Sequence, residues 1–304
     1  MKNQTTLVES VPINNSPKTS ALTVWLLLIL LAAIWGTSFI LMKKSLVVYS
    51  SLQVGSIRIL SAFLFFIPIL IAKRKQIPND KWLYFGLTGL LGVFFPAFIF
   101  TIAGKHLPSA LSGALNSLTP LCTLIVGALF FTQKIKALQI WGILIGLIGS
   151  SLLIFSNISQ PLTFNAFGLL ILVATVMYGF NLNIVKKNLN EVPALIVTTG
   201  LLTVIGPLAA ILLFSTDFWQ ISSQSESFWP LFYAVCLGVI STGLATVLFN
   251  HILQISSPVL ASSVTYLIPI FAFMWGILDS ETLLIQHFLG MAIILVGVFL
   301  VNKK

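Results

Sequence analysis

Few side chains in this chain can do chemistry, and most of them stand inside apolar runs, where a polar group is costly unless it faces a cavity or a partner helix. Asn116, Ser117 and Thr119 precede Pro120, and Thr265 and Tyr266 precede Pro269, so hydrogen-bonding groups gather beside two helix breakers. Trp35 is followed by Gly36, Thr37 and Ser38, and Tyr178 by Gly179, with Asn181 one turn on. These aromatic rings can stack on a solute or hold a cation, or serve packing alone. Asn181 and Asn183 compete for one place, because residues two apart on a helix face different ways; the spacing to Tyr178 favours Asn181. Thr242, Thr246 and Asn250 recur at one-turn spacing on a single face. The adjacent His251 suits proton coupling near neutral pH, or caps carbonyls at a helix end.

Two cations stand out. Arg58 lies about two turns into an apolar run, either as counter-ion to an anionic solute or as a structural snorkel. Lys43 ends another run, where it can draw anions to a pore mouth or stabilise a helix C-terminus. Asp279 and Glu281 fall just past an apolar run and read as a solvated loop. Other chemistries find no residues. Cys122 and Cys236 sit in apolar runs without a CxxC, His106, His251 and His287 are scattered, and no GxxxxGK[ST] occurs. No metal, cofactor or self-contained ATP drive is expected.

The elements that must position these groups are membrane helices. Charged residues make up 8% of the 304 and hydrophobic ones 58%, and the mean hydropathy is +1.05. A soluble domain needs about a quarter charged residues to cover its surface. The net charge of +9 does not indicate nucleic acid, because the basic residues cluster at the ends of apolar runs. With about 20 residues per crossing, the chain reads as ten spans, at roughly 22–42, 52–72, 82–102, 109–131, 137–155, 165–186, 192–214, 228–252, 258–278 and 284–302. Residues 1–21 form a polar tail that reads as uncleaved and cytoplasmic.

Basic residues orient the spans. With the N-terminus inside, the cytoplasmic segments hold Lys2, Lys18, Lys73, Arg74, Lys75, Lys81, Lys134, Lys136, Lys186, Lys187, Lys303 and Lys304, and the outer ones only Lys43, Lys44 and Lys105. Both termini are therefore expected in the cytoplasm of a cell whose plasma (inner) membrane carries the protein. The halves 22–155 and 156–302 also repeat. WGTSFILMKK (Trp35 to Lys44) returns as YGFNLNIVKK (Tyr178 to Lys187), and SGALNSLTPLCTLIVG (Ser112 to Gly127) as ASSVTYLIPIFAFMWG (Ala261 to Gly276). Gly142 and Gly149 return as Gly290 and Gly297. Five spans per half put the second half in from the opposite side, so the expected fold is all-α and integral to the membrane, with ten transmembrane helices in two inverted five-helix repeats.

On WGTSF (Trp35 to Phe39), RILSAFLF (Arg58 to Phe65), Pro120, Pro269, PIFAFMWGILDSE (Pro269 to Glu281) and GMAIILVG (Gly290 to Gly297), the chain resembles the drug/metabolite transporter superfamily, in its form with two EamA-type domains. The first repeat departs from the pattern at Gln133, where an acidic residue usually stands. The resemblance implies a central cavity and movement of small organic solutes such as amino acids, often outward, by alternating access. Within the spans that line the cavity in relatives, the polar and aromatic residues mark substrate contacts at Trp35, Thr37, Ser38, Asn116, Ser117, Tyr178, Asn181, Thr242, Thr246, Thr265 and Tyr266, and the helix breakers mark gating at Gly36, Pro120, Gly179 and Pro269. Roles for Lys43, Arg58 and His251 stay open. The expected partners are a small-molecule substrate and the lipid bilayer, not nucleic acid, and the expected state is a monomer. A lipid-active enzyme or a non-transporting scaffold is the alternative, and a polar central cavity would separate them.

Overall fold

The computed structural model describes residues 21–155, 166–256, 258–262 and 264–302. The tail to residue 20 with Lys2 and Lys18, the joint at 156–161, and Lys303 and Lys304 lie outside the described residues.

Apolar runs with no charge to satisfy become helices, because only a helix meets all its own backbone hydrogen bonds in lipid. In chain order these are α1 (Ala21–Ser45), α2 (Ser51–Lys73), α3 (Trp82–Gly89), α4 (Phe95–Ala103), α5 (Ser109–Asn116), α6 (Thr119–Phe130), α7 (Ala137–Ile154) and α8 (Ala166–Asn188). There follow α9 (Ala194–Phe214), α10 (Phe218–Ser222), α11 (Phe228–Cys236), α12 (Ala245–Ile255), α13 (Pro258–Ser262), α14 (Val264–Leu278) and α15 (Ile285–Asn302). Seven stretches among the described residues are long and apolar enough to cross a membrane alone, and Ala137–Leu153, Val264–Leu278 and Ile285–Val301 are shorter apolar helices. The outer surface is apolar, with Trp141, Ile148, Ile277 and Phe299 exposed, while Ser56, Thr88, Thr123 and Thr175 are fully buried. That inside-out distribution suits a lipid surround.

Three expected spans are not single regular helices among the described residues. The third runs α3, a π-helical turn at Leu90–Phe94, then α4, and the eighth runs α11, a π-helical segment at Leu237–Leu244, then α12. Pro96, in the first turn of α4, removes one N–H from the ladder and explains the first widening. The fourth span bends at Ser117 and Leu118 between α5 and α6, so Pro120 occupies the first turn of α6. In the ninth, Pro269 stands inside α14. The two prolines therefore do not interrupt their helices in the same way.

Helices from the two halves pack on one another in matched pairs. α1 lies on α14 and α8 on α6, while α2 lies on α9 and α7 on α15. Glycine permits each approach. A Cβ on Gly36 would fall 3.0 Å from Ile268 O and 2.4 Å from Phe271 Cβ, and one on Gly179 would fall 2.9 Å from Cys122 O. A Cβ on Gly142 would meet Gly297 O at 2.5 Å, and one on Gly149 would meet Gly290 O at 2.8 Å. Gly142 and Gly149 are the sequence counterparts of Gly290 and Gly297, so exchanging the halves turns one contact into the other. Two antiparallel copies of one helix make that pattern.

Candidate functional site

Three of the matched pairs, α1 with α14, α6 with α8 and α2 with α9, contribute to the wall of a central cavity with about 1040 Å³ of empty space, mouth included. Its wall is aromatic on Trp35, Phe39, Phe100, Tyr178 and Phe249. Trp35 donates from Nε1 to Ser241 O at 2.9 Å and sets its ring 5.1 Å from Phe249. Tyr178 stacks on Phe100 at 6.3 Å. The polar part holds Ser38, Asn116, Thr119, Asn181, Thr246, Asn250 and Thr265. Both widened turns reach it, through Gly92 and Val93 on one side and Ser241 and Thr242 on the other. A π-helical turn rotates the following residues off the regular helical phase, which re-aims side chains at a site.

Arg58 is the only ionised side chain in this wall. Its Nε donates to Thr242 Oγ1 at 2.6 Å, and it forms no ion pair among the described residues. Asn181 keeps its Oδ1 buried with no hydrogen-bond partner, and a Cβ on the adjacent Gly92 would fall 2.8 Å from that oxygen. Asn183 turns elsewhere. It donates to Thr123 O and Gly179 O and accepts from Gln133 Nε2 at 2.8 Å.

Of the expected substrate contacts, Trp35, Ser38, Asn116, Tyr178, Asn181, Thr242, Thr246 and Thr265 stand on the cavity wall. Three do not. Thr37 accepts from Trp275 Nε1 at 2.9 Å on the face toward α14, because one step from Ser38 turns a side chain by about a quarter of a circle. Ser117 is fully buried and donates to Ala114 O at the bend before α6. Tyr266 directs its hydroxyl at Val298 O of α15. His251 is exposed beside cavity-lining Asn250, which donates to Thr198 Oγ1 at 3.1 Å. The expected gating residues Gly36 and Gly179 are helix contacts, and Pro120 and Pro269 are buried. Sequence reasoning missed Thr88, Ser241 and Ser262 among the polar lining, and Phe39, Phe100 and Phe249 among the rings.

At the end of the cavity beyond Met42, the expected solvated loop carries an ion-pair cluster, half exposed at Lys43 and Lys44 and buried at Glu281. Lys43 Nζ lies 2.8 Å from both Asp279 Oδ2 and Glu281 Oε1, and Lys44 pairs with Asp279. The Glu281 side chain is only 3% exposed. It accepts from Ser109 N at 3.1 Å and Ser109 Oγ at 2.7 Å, over the first turn of α5. Lys43 is thus engaged with protein carboxylates rather than open to incoming anions. Hydrogen bonds from Lys43 and Lys44 hold the Asp279 carboxyl below its ordinary value. Burial pushes Glu281 up, but Lys43 and Ser109 outweigh it and hold it low. The turn that delivers Glu281 has Ser280 at φ 57°, and its counterpart delivering Gln133 has Thr132 at φ 58°. Both bring the next backbone N–H onto a glycine carbonyl, Gly276 O at 2.8 Å and Gly127 O at 3.0 Å. The chemistry then diverges: Gln133 meets only the Asn183 amide, and Lys186, the equivalent of Lys43, donates to the carbonyls of Leu253, Gln254 and Ser256.

Comparisons with known proteins agree with this architecture. The sequence model of the EamA-like transporter family matches residues 23–155 and again 166–303. A protein of Archaeoglobus fulgidus named "Uncharacterized transporter" is 25% identical over 92% of this chain and 99% of its own length. A Salmonella typhimurium protein named "Probable amino-acid metabolite efflux pump" is 27% identical over 44% of this chain and 43% of its own. A solved crystal structure superposes over 93% of this chain and 97% of its own with a TM-score of 0.67, at 18% identity, a likeness of fold alone.

Proposed function

The chain belongs to the EamA-like transporter family, and from that premise we propose that it is a secondary exporter of small organic metabolites, amino acids or related solutes. It works by alternating access between two inverted five-helix repeats, ten spans in all, with both termini cytoplasmic in the plasma membrane. The observation that carries the reading is the exchange symmetry of the interhelix contacts: Gly36 on α14 mirrors Gly179 on α6 beside the cavity, and away from it Gly142 on Gly297 mirrors Gly149 on Gly290. Such halves can swap conformations, which moves the mouth from one side to the other. Outward movement and the solute class draw support from the name of the Salmonella relative.

In this reading Trp35, Ser38, Asn116, Tyr178, Asn181, Thr242, Thr246 and Thr265 contact the solute, and Gly36, Gly179, Pro120 and Pro269 lie where the repeats slide. The cluster of Lys43, Lys44, Asp279 and Glu281 is the clasp of one closed mouth. The test is counterflow in proteoliposomes against a mixed metabolite panel read by mass spectrometry, with Trp35→Ala and Asn116→Ala alongside. Saturable movement of one compound class, lost in both variants, is the expected result. No movement under gradients of either sign would overturn the transporter reading.

A further inference from the structure

Resting on the reading of the cavity as the transport site, we infer that its solute is an amphipathic organic carboxylate, seated on Arg58 and carrying an N–H or O–H donor for Asn181. The first observation is an uncompensated charge. Arg58 projects from α2 into a wall with no Asp, Glu, Lys or His, and among the described residues its side chain donates only from Nε, to Thr242. A guanidinium presents five donors in a planar fork matched to a carboxylate. Among the described residues its remaining donors meet no carboxylate, since all four ion pairs belong to Lys43, Lys44 and Lys81. A cation held inside a membrane protein without a counter-ion marks a site for one.

The second observation is independent. Asn181 Oδ1, from α8, is a buried acceptor with no donor, and it belongs to the same cavity. An unsatisfied buried acceptor is costly, and a bound N–H or O–H would satisfy it. The same wall carries the rings of Trp35, Phe100, Tyr178 and Phe249. The body of the solute is therefore apolar or aromatic, and its net charge is zero or negative. A lone cation would meet Arg58 with no acid beside it, so cationic amphiphiles are excluded from this site.

The experiment uses the purified full-length protein in nanodiscs, with calorimetric binding of four probes that share one ring: phenylalanine, 3-phenylpropionate, phenylalanine methyl ester and phenethylammonium. Counterflow of the same four follows in proteoliposomes. The free acids should bind at least about thirtyfold tighter than the ester or the amine, the lower end for removing one partner of a desolvated charge pair. Phenylalanine should exceed phenylpropionate in the wild type but not in Asn181→Leu. Arg58→Gln should erase the acid–ester difference and Arg58→Lys should keep part of it. If Arg58→Gln does not fold, the wild-type ranking and Arg58→Lys still decide. Equal binding of acid and ester, or no acid bound, overturns the inference. Acids that bind with the predicted ranking but never cross the membrane leave this inference standing and remove the transporter reading. Ester crossing as well as acid does the reverse.

Discussion

Replacing Glu281 by Gln tests the clasp where its energy is concentrated. The carboxylate is 3% exposed and takes hydrogen bonds from Lys43 Nζ at 2.8 Å, Ser109 Oγ at 2.7 Å and Ser109 N at 3.1 Å. Removing one partner of a fully buried ion pair costs about 3–5 kcal/mol. Here Lys43 is 39% exposed and keeps Asp279, so the loss reduces to that of charge-assisted hydrogen bonds, about 2 kcal/mol. That is about a thirtyfold change in any equilibrium between this mouth closed and open. The assay places a cysteine at Ser38 in a chain whose Cys122 and Cys236 are replaced by Ala, and times its labelling by an impermeant maleimide in proteoliposomes. Glu281→Gln should speed labelling from the Lys43 side by about tenfold or more. If thermal stability falls while labelling does not change, the cluster is scaffold and the clasp reasoning is wrong. If neither changes, the energetic argument itself fails.

Two further outcomes follow from the same coordinates. The contribution of Asp279 and Glu281 should be flat through neutral pH. Both carboxyls sit below their ordinary values in the folded chain, so their stabilisation is full above the ordinary carboxylate range near pH 4 and is lost as pH falls through the lowered values. A thermal melt series in acid should show that loss, and Glu281→Gln should blunt it. Gly179→Ala should cost about 1–3 kcal/mol in detergent unfolding, because its Cβ would lie 2.9 Å from backbone Cys122 O, which cannot swing away. Gly86→Ala, whose nearest neighbour would be 3.9 Å away, serves as the tolerated control.

The repeat was legible because equivalent positions kept residue types that geometry demands. Gly36 and Gly179 have no room for a side chain, and neither do the paired glycines of α7 and α15. Facing was legible only in part. Asn181 and Asn183 could be separated by spacing to Tyr178, since α8 is regular between them. Thr37, Ser117 and Tyr266 could not be placed, because depth along a span says nothing of rotation about it. Two spans also change phase at π-helical turns that no periodicity announces, which hid Thr88 and Ser241. The clasp was hidden for a different reason. Lys43 and Glu281 are 238 residues apart, and neither sequence neighbourhood names the other as its partner.

The mating of α1 with α14 and of α7 with α15 has a consequence for biosynthesis. Helices enter the bilayer in the order they are translated, yet the surface that receives Gly36 is made almost last, and that for Gly142 last of all. During most of synthesis the early helices therefore wait in lipid with their closest-packing faces bare. The final two helices complete the assembly rather than extend it. A frameshift late in the gene would then injure the earliest-made helix as much as the latest.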